Sequence, residues 1–385
     1  MSTDGPASEP PTAARTAPEL RDRPGRGAGS GASAEPGHSA EPELRDPIEK
    51  LDAQRRTRRQ NILVTLAWML HWVLRMGLAA MLLVYGWSKV VLMQMGLPDH
   101  GDALTQFGEM SPMGLLWRFM AYSPVVQCLA GVAEVLAAAL LLFRRTVWLG
   151  ALLAVADMAV VFLLNMAYDV PVKQLAGVLG VVGIIILLPF LPRLLRFVAG
   201  RATGPALLPT PIPWPRLARF TRWLGAIVAV VAVAGSGAVL VWSAQGISRV
   251  DGPLPGVYRV VEDAREPAAQ LAEDDRWQQV AFGQWDYRDG RGRVGIRYAN
   301  GDFQGGTYRL DGDTVTLSLD RIREGSQPLG RNDYVAGFDL TWEERPDGRI
   351  ALTGDRVDIV LESDAEARYL FDRDFSWAPR PPINR

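Results

Sequence analysis

The sequence predicts a multi-domain membrane protein: an all-α four-helix transmembrane bundle plus a fifth transmembrane helix, followed by a soluble all-β domain, a lipocalin-like barrel or sandwich. Three observations predict it. Residues 61–242 carry only six acidic side chains and break into apolar runs long enough to cross a bilayer. Arginines alternate between the connections of those runs. From Val250 onward the chain changes character, to short alternating strands separated by turn signals, with 18 arginines, no lysine and 26 acidic residues.

The runs Val125 to Phe143, Val147 to Met166, Leu175 to Leu191 and Trp223 to Trp242 each approach the roughly 20 residues that cross a hydrocarbon core about 30 Å thick. The first stretch, Asn61 to Met95, is longer than one crossing and is interrupted by His71, Arg75 and Lys89. Two crossings and a turn do not fit into its 35 residues, so it reads as one tilted helix with an interfacial extension.

Short positive loops stay in the cytoplasm. Arg55, Arg56, Arg58 and Arg59 precede the first span, Arg144 and Arg145 separate the second from the third, and Arg193, Arg196, Arg201, Arg216, Arg219 and Arg222 separate the fourth from the fifth. The alternate loops hold only Arg118 and Lys173. The expected organisation is therefore a disordered cytoplasmic N-terminus over 1–60, the bundle over 61–200, a basic Pro-rich cytoplasmic linker over 201–222 and the fifth helix over 223–243. An exported barrel-like domain over 250–362 and a C-terminal tail over 363–385 complete it. Nothing near Met1 has the apolar core of a cleavable signal, so the first span is expected to direct insertion itself.

Residues 1–60 hold ten basic and ten acidic groups among Pro, Ala, Gly and Ser, a composition that cannot bury a core. The segment Pro-Glu-Leu-Arg-Asp occurs at Pro18 to Asp22 and again at Pro42 to Asp46, too short to be a structural repeat.

Eight strands are expected in the exported region: Val257–Glu262, Trp277–Phe282, Arg293–Tyr298, Thr307–Leu310, Thr314–Leu319, Ala336–Trp342, Ile350–Thr353 and Val357–Leu361. Asn300-Gly301, Asp311-Gly312 and Asp347-Gly348 suit tight hairpins between them. A barrel of this size can hold one small ligand, but Trp277, Trp285, Phe303 and Phe338 supply the bulk to fill it, and a filled core is the expectation. The domain's formal charge of minus 8 argues against nucleic acid as a partner.

Cys128 has no second cysteine to pair with, which excludes dithiol chemistry. His38, His71 and His100 lack the spacing of a metal site. What remains is charge inside the membrane, which is costly and usually has a reason. Glu134 and Asp157 each lie about ten residues into their spans, roughly 15 Å deep, and can face each other on adjacent antiparallel helices. Arg75 is the cation expected to neutralise them; it shares a helix stripe with Gly86 and Lys89, and Gln127 stands one heptad from Glu134. The set Arg75, Lys89, Gln127, Glu134 and Asp157 is thus a candidate intramembrane polar site, read first as a structural lock between helices and second as a proton or quinone site.

The run from Arg75 to Lys89 (RMGLAAMLLVYGWSK), the glutamate-bearing segment LAGVAEVLAAALLLFRR, the outer loop SPMGLLWRFMAYSP and the hairpin LNMAYDVPVKQ with Asn165, Tyr168, Asp169 and Lys173 resemble the DoxX family of bacterial membrane proteins over Trp68 to Phe197. The closing DFSWAPRPPINR is similar to the tail of longer DoxX-like proteins with an extra exported domain. The resemblance implies a four-helix membrane bundle and, through the family's link to quinone-dependent oxidation and redox complexes, partner proteins in the membrane or outside it. The chain itself has no cysteine pair, haem ligand pair or flavin fingerprint, so an electron carrier would be borrowed from a partner or be membrane quinone. Two functions follow as expectations: an accessory subunit that anchors the exported domain, or a quinone-binding subunit in which Glu134, Asp157 and Lys89 handle protons. A small-solute transporter is the weaker third, because neither an inverted repeat nor a broken span is visible.

Overall fold

The computed structural model describes residues 47–204, 215–287, 290–322, 334–373, 376 and 378–381. Of the disorder expected over 1–60, residues 1–46 lie outside them, as do both copies of the Pro-Glu-Leu-Arg-Asp segment, while 47–60 are helical.

Helix α1 (Pro47–Val90) begins 14 residues before the expected boundary at Asn61. The reason is local: proline suits the first helical position, and Glu, Lys, Leu, Ala, Gln and Arg are strong helix formers. After it the chain crosses a long loop and forms α2 (Pro112–Tyr122), a short helix where a loop was expected. Ser111 caps it, accepting from the Gly114 N–H. Three helices follow, α3 (Pro124–Leu142), α4 (Val147–Ala167) and α5 (Lys173–Leu187). Pro189 turns the end of α5 into a 3-10 segment (Leu188–Phe190), and α6 (Leu191–Val198) continues it. Helix α7 (Pro215–Ala244) again starts earlier than expected, since residues placed in the linker are helical. Among the described residues five helices are long and apolar enough to cross a membrane, over Gln54–Val90, Pro124–Leu142, Val147–Ala167, Lys173–Val198 and Leu224–Ala244.

Leu78, Leu82, Ala137, Leu141, Ala151, Ala154 and Ile186 form the centre of the helical core, with Ala232 and Val233 of α7 packed against its edge. Apolar side chains of the same helices, such as Leu163 and Val178, stay exposed, as bilayer-facing surfaces do.

The second region is a closed eight-stranded antiparallel barrel. In chain order the strands are β1 (Ile247–Arg249), β2 (Gly256–Asp263), β3 (Trp277–Phe282), β4 (Trp285–Tyr287), β5 (Gly292–Tyr298), β6 (Phe303–Asp311), β7 (Thr314–Asp320), β8 (Tyr334–Glu344), β9 (Ile350–Thr353) and β10 (Asp358–Ser363). β1 and β4 form a separate two-stranded ribbon, and the other eight follow one another around the barrel until β10 pairs with β2. This is the up-and-down order expected of the lipocalin-like reading. At three hairpin turns Gly301, Gly312 and Gly348 adopt φ of 92°, 63° and 78°, conformations that side chains resist.

Inward-facing residues fill the interior, among them Tyr258, Trp277, Phe282, Ile296, Tyr308, Leu317 and Leu352, with Phe338 packed against them. Two of the four aromatics expected there are elsewhere. Phe303 faces outward, packed with Leu104, Val257 and Ala281, and Trp285 belongs to the outer ribbon. The pleat explains Phe303, which pairs with outward Arg297 while Gln304 and Tyr308 alternate inward. In the expected tail, Ala365–Asp372 forms a helix, α8, capped by Asp364.

Candidate functional site

Helices α1 and α3 cross at two glycines. A Cβ on Gly131 would lie 2.4 Å from the Gly86 carbonyl oxygen, and one on Gly86 would lie 2.9 Å from the Gly131 carbonyl oxygen, so neither position admits a side chain. One turn onward on each helix stand Lys89 and Glu134. The Lys89 Nζ donates to both carboxylate oxygens of Glu134, at 2.6 and 2.7 Å. Lys89 is 6 % exposed and Glu134 1 %, so close helix approach holds a dry ion pair. Tyr85, one turn before Lys89, turns its ring toward the ammonium at 5.8 Å.

Asp157 on α4 lies within electrostatic reach of both Lys89 and Glu134, and its Oδ2 is buried without a hydrogen-bond partner among the described residues. The site therefore gathers two carboxylates and one ammonium, and a single cation cannot neutralise both acids. Gln127 is fully buried and serves the neighbouring loop: its Oε1 accepts from the Met95 N–H at 3.0 Å and its Nε2 donates to the Gly96 carbonyl at 3.1 Å. The Cys128 thiol is likewise spent locally, donating to the Val90 carbonyl at the end of α1.

The cation paired with Glu134 is Lys89, which corrects the expected Arg75. Fourteen residues of helix separate the two cations, about 21 Å at 1.5 Å per residue, so only one can reach Glu134. Arg75 forms neither hydrogen bond nor ion pair among the described residues. The hairpin residues Asn165, Tyr168, Asp169 and Lys173 form a turn between α4 and α5. Asn165 is buried and its carbonyl accepts from the Val170 N–H, Tyr168 packs beside Val170 with Leu116 and Met120, and Lys173 pairs with Asp169 at 2.5 Å on the surface. The Lys173 ammonium holds the Asp169 carboxyl below the usual carboxylate range.

A second cluster joins the helical region to the barrel. The loop after α1 carries two 3-10 turns, His100–Asp102 and Phe107–Glu109, and lies against the outer faces of β2, β3 and β5. Gln284 Oε1 accepts from the His100 N–H at 2.8 Å, and both the Gln284 amide and the Trp285 indole donate to the Pro98 carbonyl. Arg297 donates to both oxygens of Glu109, at 2.6 and 2.8 Å, and Asp102 is shared between Arg293 and Arg118, each at 2.9 Å. Gly101 and Gly295 make the approach possible, for a Cβ on Gly295 would lie 2.8 Å from the Gly101 carbonyl.

Asp99 sits at the middle of this seam, 1 % exposed. Its Oδ1 accepts from the Gln284 N–H at 3.0 Å while its Oδ2 has no partner among the described residues. Burial pushes its carboxyl up to about 6, against the pull of Arg293. Glu109 moves the other way, held low by its hydrogen bonds from Arg297.

Sequence reasoning missed the seam because its partners lie almost 200 residues apart. A signal was present all the same. Three of the six carboxylates of 61–242 fall in one loop, and β5 repeats arginine at positions 293 and 297, on one face of a strand.

No family model matches the chain, and no solved structure matches it. It is similar to YwoB of Bacillus subtilis (strain 168), a protein described as uncharacterized, with 34 % identity over 114 residues, 27 % of this chain and 66 % of YwoB. The chain thus spans slightly less than two thirds of that relative's length.

Proposed function

We propose that the chain is a DoxX-like membrane subunit whose role is to anchor and orient an exported barrel for partner proteins, without catalytic chemistry of its own. In this reading four helices form the bundle and α7 is a fifth span. The N-terminus is cytoplasmic, and the barrel stands outside the bacterial inner membrane. The observation that carries it is the seam: a flexible tether would need only α7, whereas the Asp99, Asp102 and Glu109 contacts fix the barrel against the outer loop. The filled interior agrees, since it leaves the barrel's outer surface as the part available to a partner.

The alternative, a quinone-linked oxidoreductase subunit, is favoured by one observation, the unpartnered Asp157 oxygen beside the Lys89–Glu134 pair. In that role Asp157 would carry the exchangeable proton and a partner would supply electrons.

Purification of the full chain in mild detergent separates the two. The anchoring reading expects a discrete protein partner that is lost when Arg293 and Arg297 are both replaced by Glu, and retained in Glu134→Gln. A quinone-dependent activity that copurifies and disappears in Asp157→Asn or Glu134→Gln would establish the alternative.

A further inference from the structure

Helix α2 presents three faces. At about 100° per residue, Met113, Leu116, Trp117 and Met120 fall on one side, and Leu116 and Met120 are buried there against Val170 in the turn between α4 and α5. Arg118 falls on a second side and donates to Asp102, the carboxylate that also receives Arg293 of β5. Leu115, Phe119 and Tyr122 follow one another at helical spacing along the third. Phe119 is 65 % exposed and Tyr122 39 %, with the Tyr122 hydroxyl donating to the Arg373 carbonyl at 3.0 Å.

A single exposed phenylalanine on a protein surface needs no explanation, but this stripe adjoins a membrane span. Only Ser123 separates α2 from α3, and its hydroxyl caps α3 by accepting from the Val126 N–H. Helix α3 has 19 residues, about 28 Å of helix against a hydrocarbon core about 30 Å thick, so its first turn stands at the edge of that core. Phe119 lies about 4.5 Å along α2 from Tyr122, and two peptide steps of about 3.8 Å each lead on to Pro124. Whatever angle α2 makes with α3, Phe119 is therefore within about 12 Å of the start of the span. The surface that begins there is apolar and open: Val125, Leu129, Val132 and Leu136 form an exposed stripe of α3, as a lipid-facing surface does. An aromatic ring at this level with its hydroxyl turned to a polar partner, as in Tyr122, suits the layer where a membrane meets water.

We propose that α2 is an interfacial helix whose Leu115, Phe119 and Tyr122 face seats in the headgroup and upper acyl layer of the bilayer that α3 crosses. The inference rests on the reading of α3 as a membrane span and deepens the anchoring role. One short helix then touches lipid with one face and, through Arg118 and Asp102, the barrel with another, so the membrane surface sets the barrel's orientation.

The test attaches a nitroxide label at Phe119→Cys, at Leu129→Cys on α3 and at Leu271→Cys, a 70 % exposed position on the barrel. Each is made in the full Cys128→Ser chain, where the serine hydroxyl can still donate to the Val90 carbonyl, and is reconstituted into liposomes of phosphatidylethanolamine and phosphatidylglycerol. Collisions with oxygen, which concentrates in hydrocarbon, are read against collisions with a water-soluble nickel chelate. The label at position 119 is expected to lose most of the nickel collisions seen at 271 and to gain oxygen collisions toward the level at 129. A label at 119 that behaves as the one at 271, while 129 stays lipid-exposed, overturns the interfacial seat and leaves the span intact. An aqueous label at 129 overturns the span and the inference with it. Protection of 119 from both reagents shows that protein covers the face, whether a second copy, a partner or the residues after Arg373, and overturns the assignment as well. In the unaltered chain, a phosphatidylcholine carrying a photoactivated carbene precursor in its acyl chain should label Leu115–Tyr122 as it labels Val125–Leu136. Labelling of Leu115–Tyr122 no heavier than that of the barrel contradicts the proposal.

Discussion

Replacing Lys89 by Met should be among the most damaging single changes in the helical region, and the damage should largely vanish when Glu134 is replaced at the same time. Lys89 donates to both oxygens of a carboxylate that is 1 % exposed. Removing the ammonium strands Glu134 beside Asp157 with no cation, and breaking a buried pair from one side costs about 3–5 kcal/mol. Removing both partners leaves no buried charge unpaired at that crossing, so Lys89→Met with Glu134→Leu should cost at most about 2 kcal/mol. The coupling energy is then about 3 kcal/mol or more, well above the roughly 0.5 kcal/mol scatter of independent sites. For a region of this size each kcal/mol moves Tm by about 2–4 °C, so the single variant should melt roughly 6–20 °C lower. Glu134→Gln should be milder than Glu134→Leu, because the amide oxygen still accepts from Lys89 and Asp157 remains near. The assay is thermal unfolding in detergent across the full cycle, with Arg75→Met combined with Glu134→Leu as control. Arg75 lies about 21 Å along the helix from Lys89, so that control should be additive. If the Lys89 and Glu134 changes also add, the pair is not the lock described.

Three further outcomes are expected. A reporter active only outside the cytoplasm should be active when fused after Arg385 and silent when fused after Arg201; the reverse would contradict the proposed orientation. Expressed alone from Val250, the barrel should be a soluble β-rich monomer with a cooperative melt, because its core is complete without the loop; a helical or unfolded circular dichroism spectrum would oppose this. Docking at the seam should strengthen as pH falls from 7 to about 5. Asp99 has its carboxyl raised to about 6, so its ionised form weakens the docked state fully above that pH, and the penalty fades as pH falls from about 6 toward the ordinary carboxylate value near 4, at most about 3 kcal/mol across that whole window. Glu109, held low by Arg297, contributes above its ordinary range and is lost at more acidic pH, so docking should pass through an optimum. Fluorescence of the tryptophans, including Trp285 on the Pro98 carbonyl, would follow the transition, and Asp99→Asn should abolish the upper limb.

Periodicity and length made most of the architecture legible. The eight expected strands all occur, with ends moved by a few residues, because inward alternation and the Asn-Gly and Asp-Gly turns fix register locally. Helix ends were less legible: 47–60 and the start of α7 are polar, and helix propensity rather than hydropathy decides them. The polar site was half legible. Placing Gly86 and Lys89 on one stripe identified the right helix face, but which cation meets Glu134 depends on the level at which α1 and α3 cross. That level is set by Gly86 against Gly131, a contact between segments 45 residues apart. The seam was the least legible, since its charges are ordinary surface residues until the barrel closes and turns Arg293 and Arg297 outward together.

Hydrogen exchange at the loop after α1 tests the anchoring account most directly. In the full chain the amides of Gly101 to Thr105 should be protected, since the loop is pinned by Gln284, Arg293 and Arg297. In a chain ending at Ala244, or in the Arg293→Glu and Arg297→Glu double variant, the same amides should exchange at rates close to those of an open loop. Equal protection with and without the docked barrel would show that the loop holds its own shape and that the barrel is merely tethered.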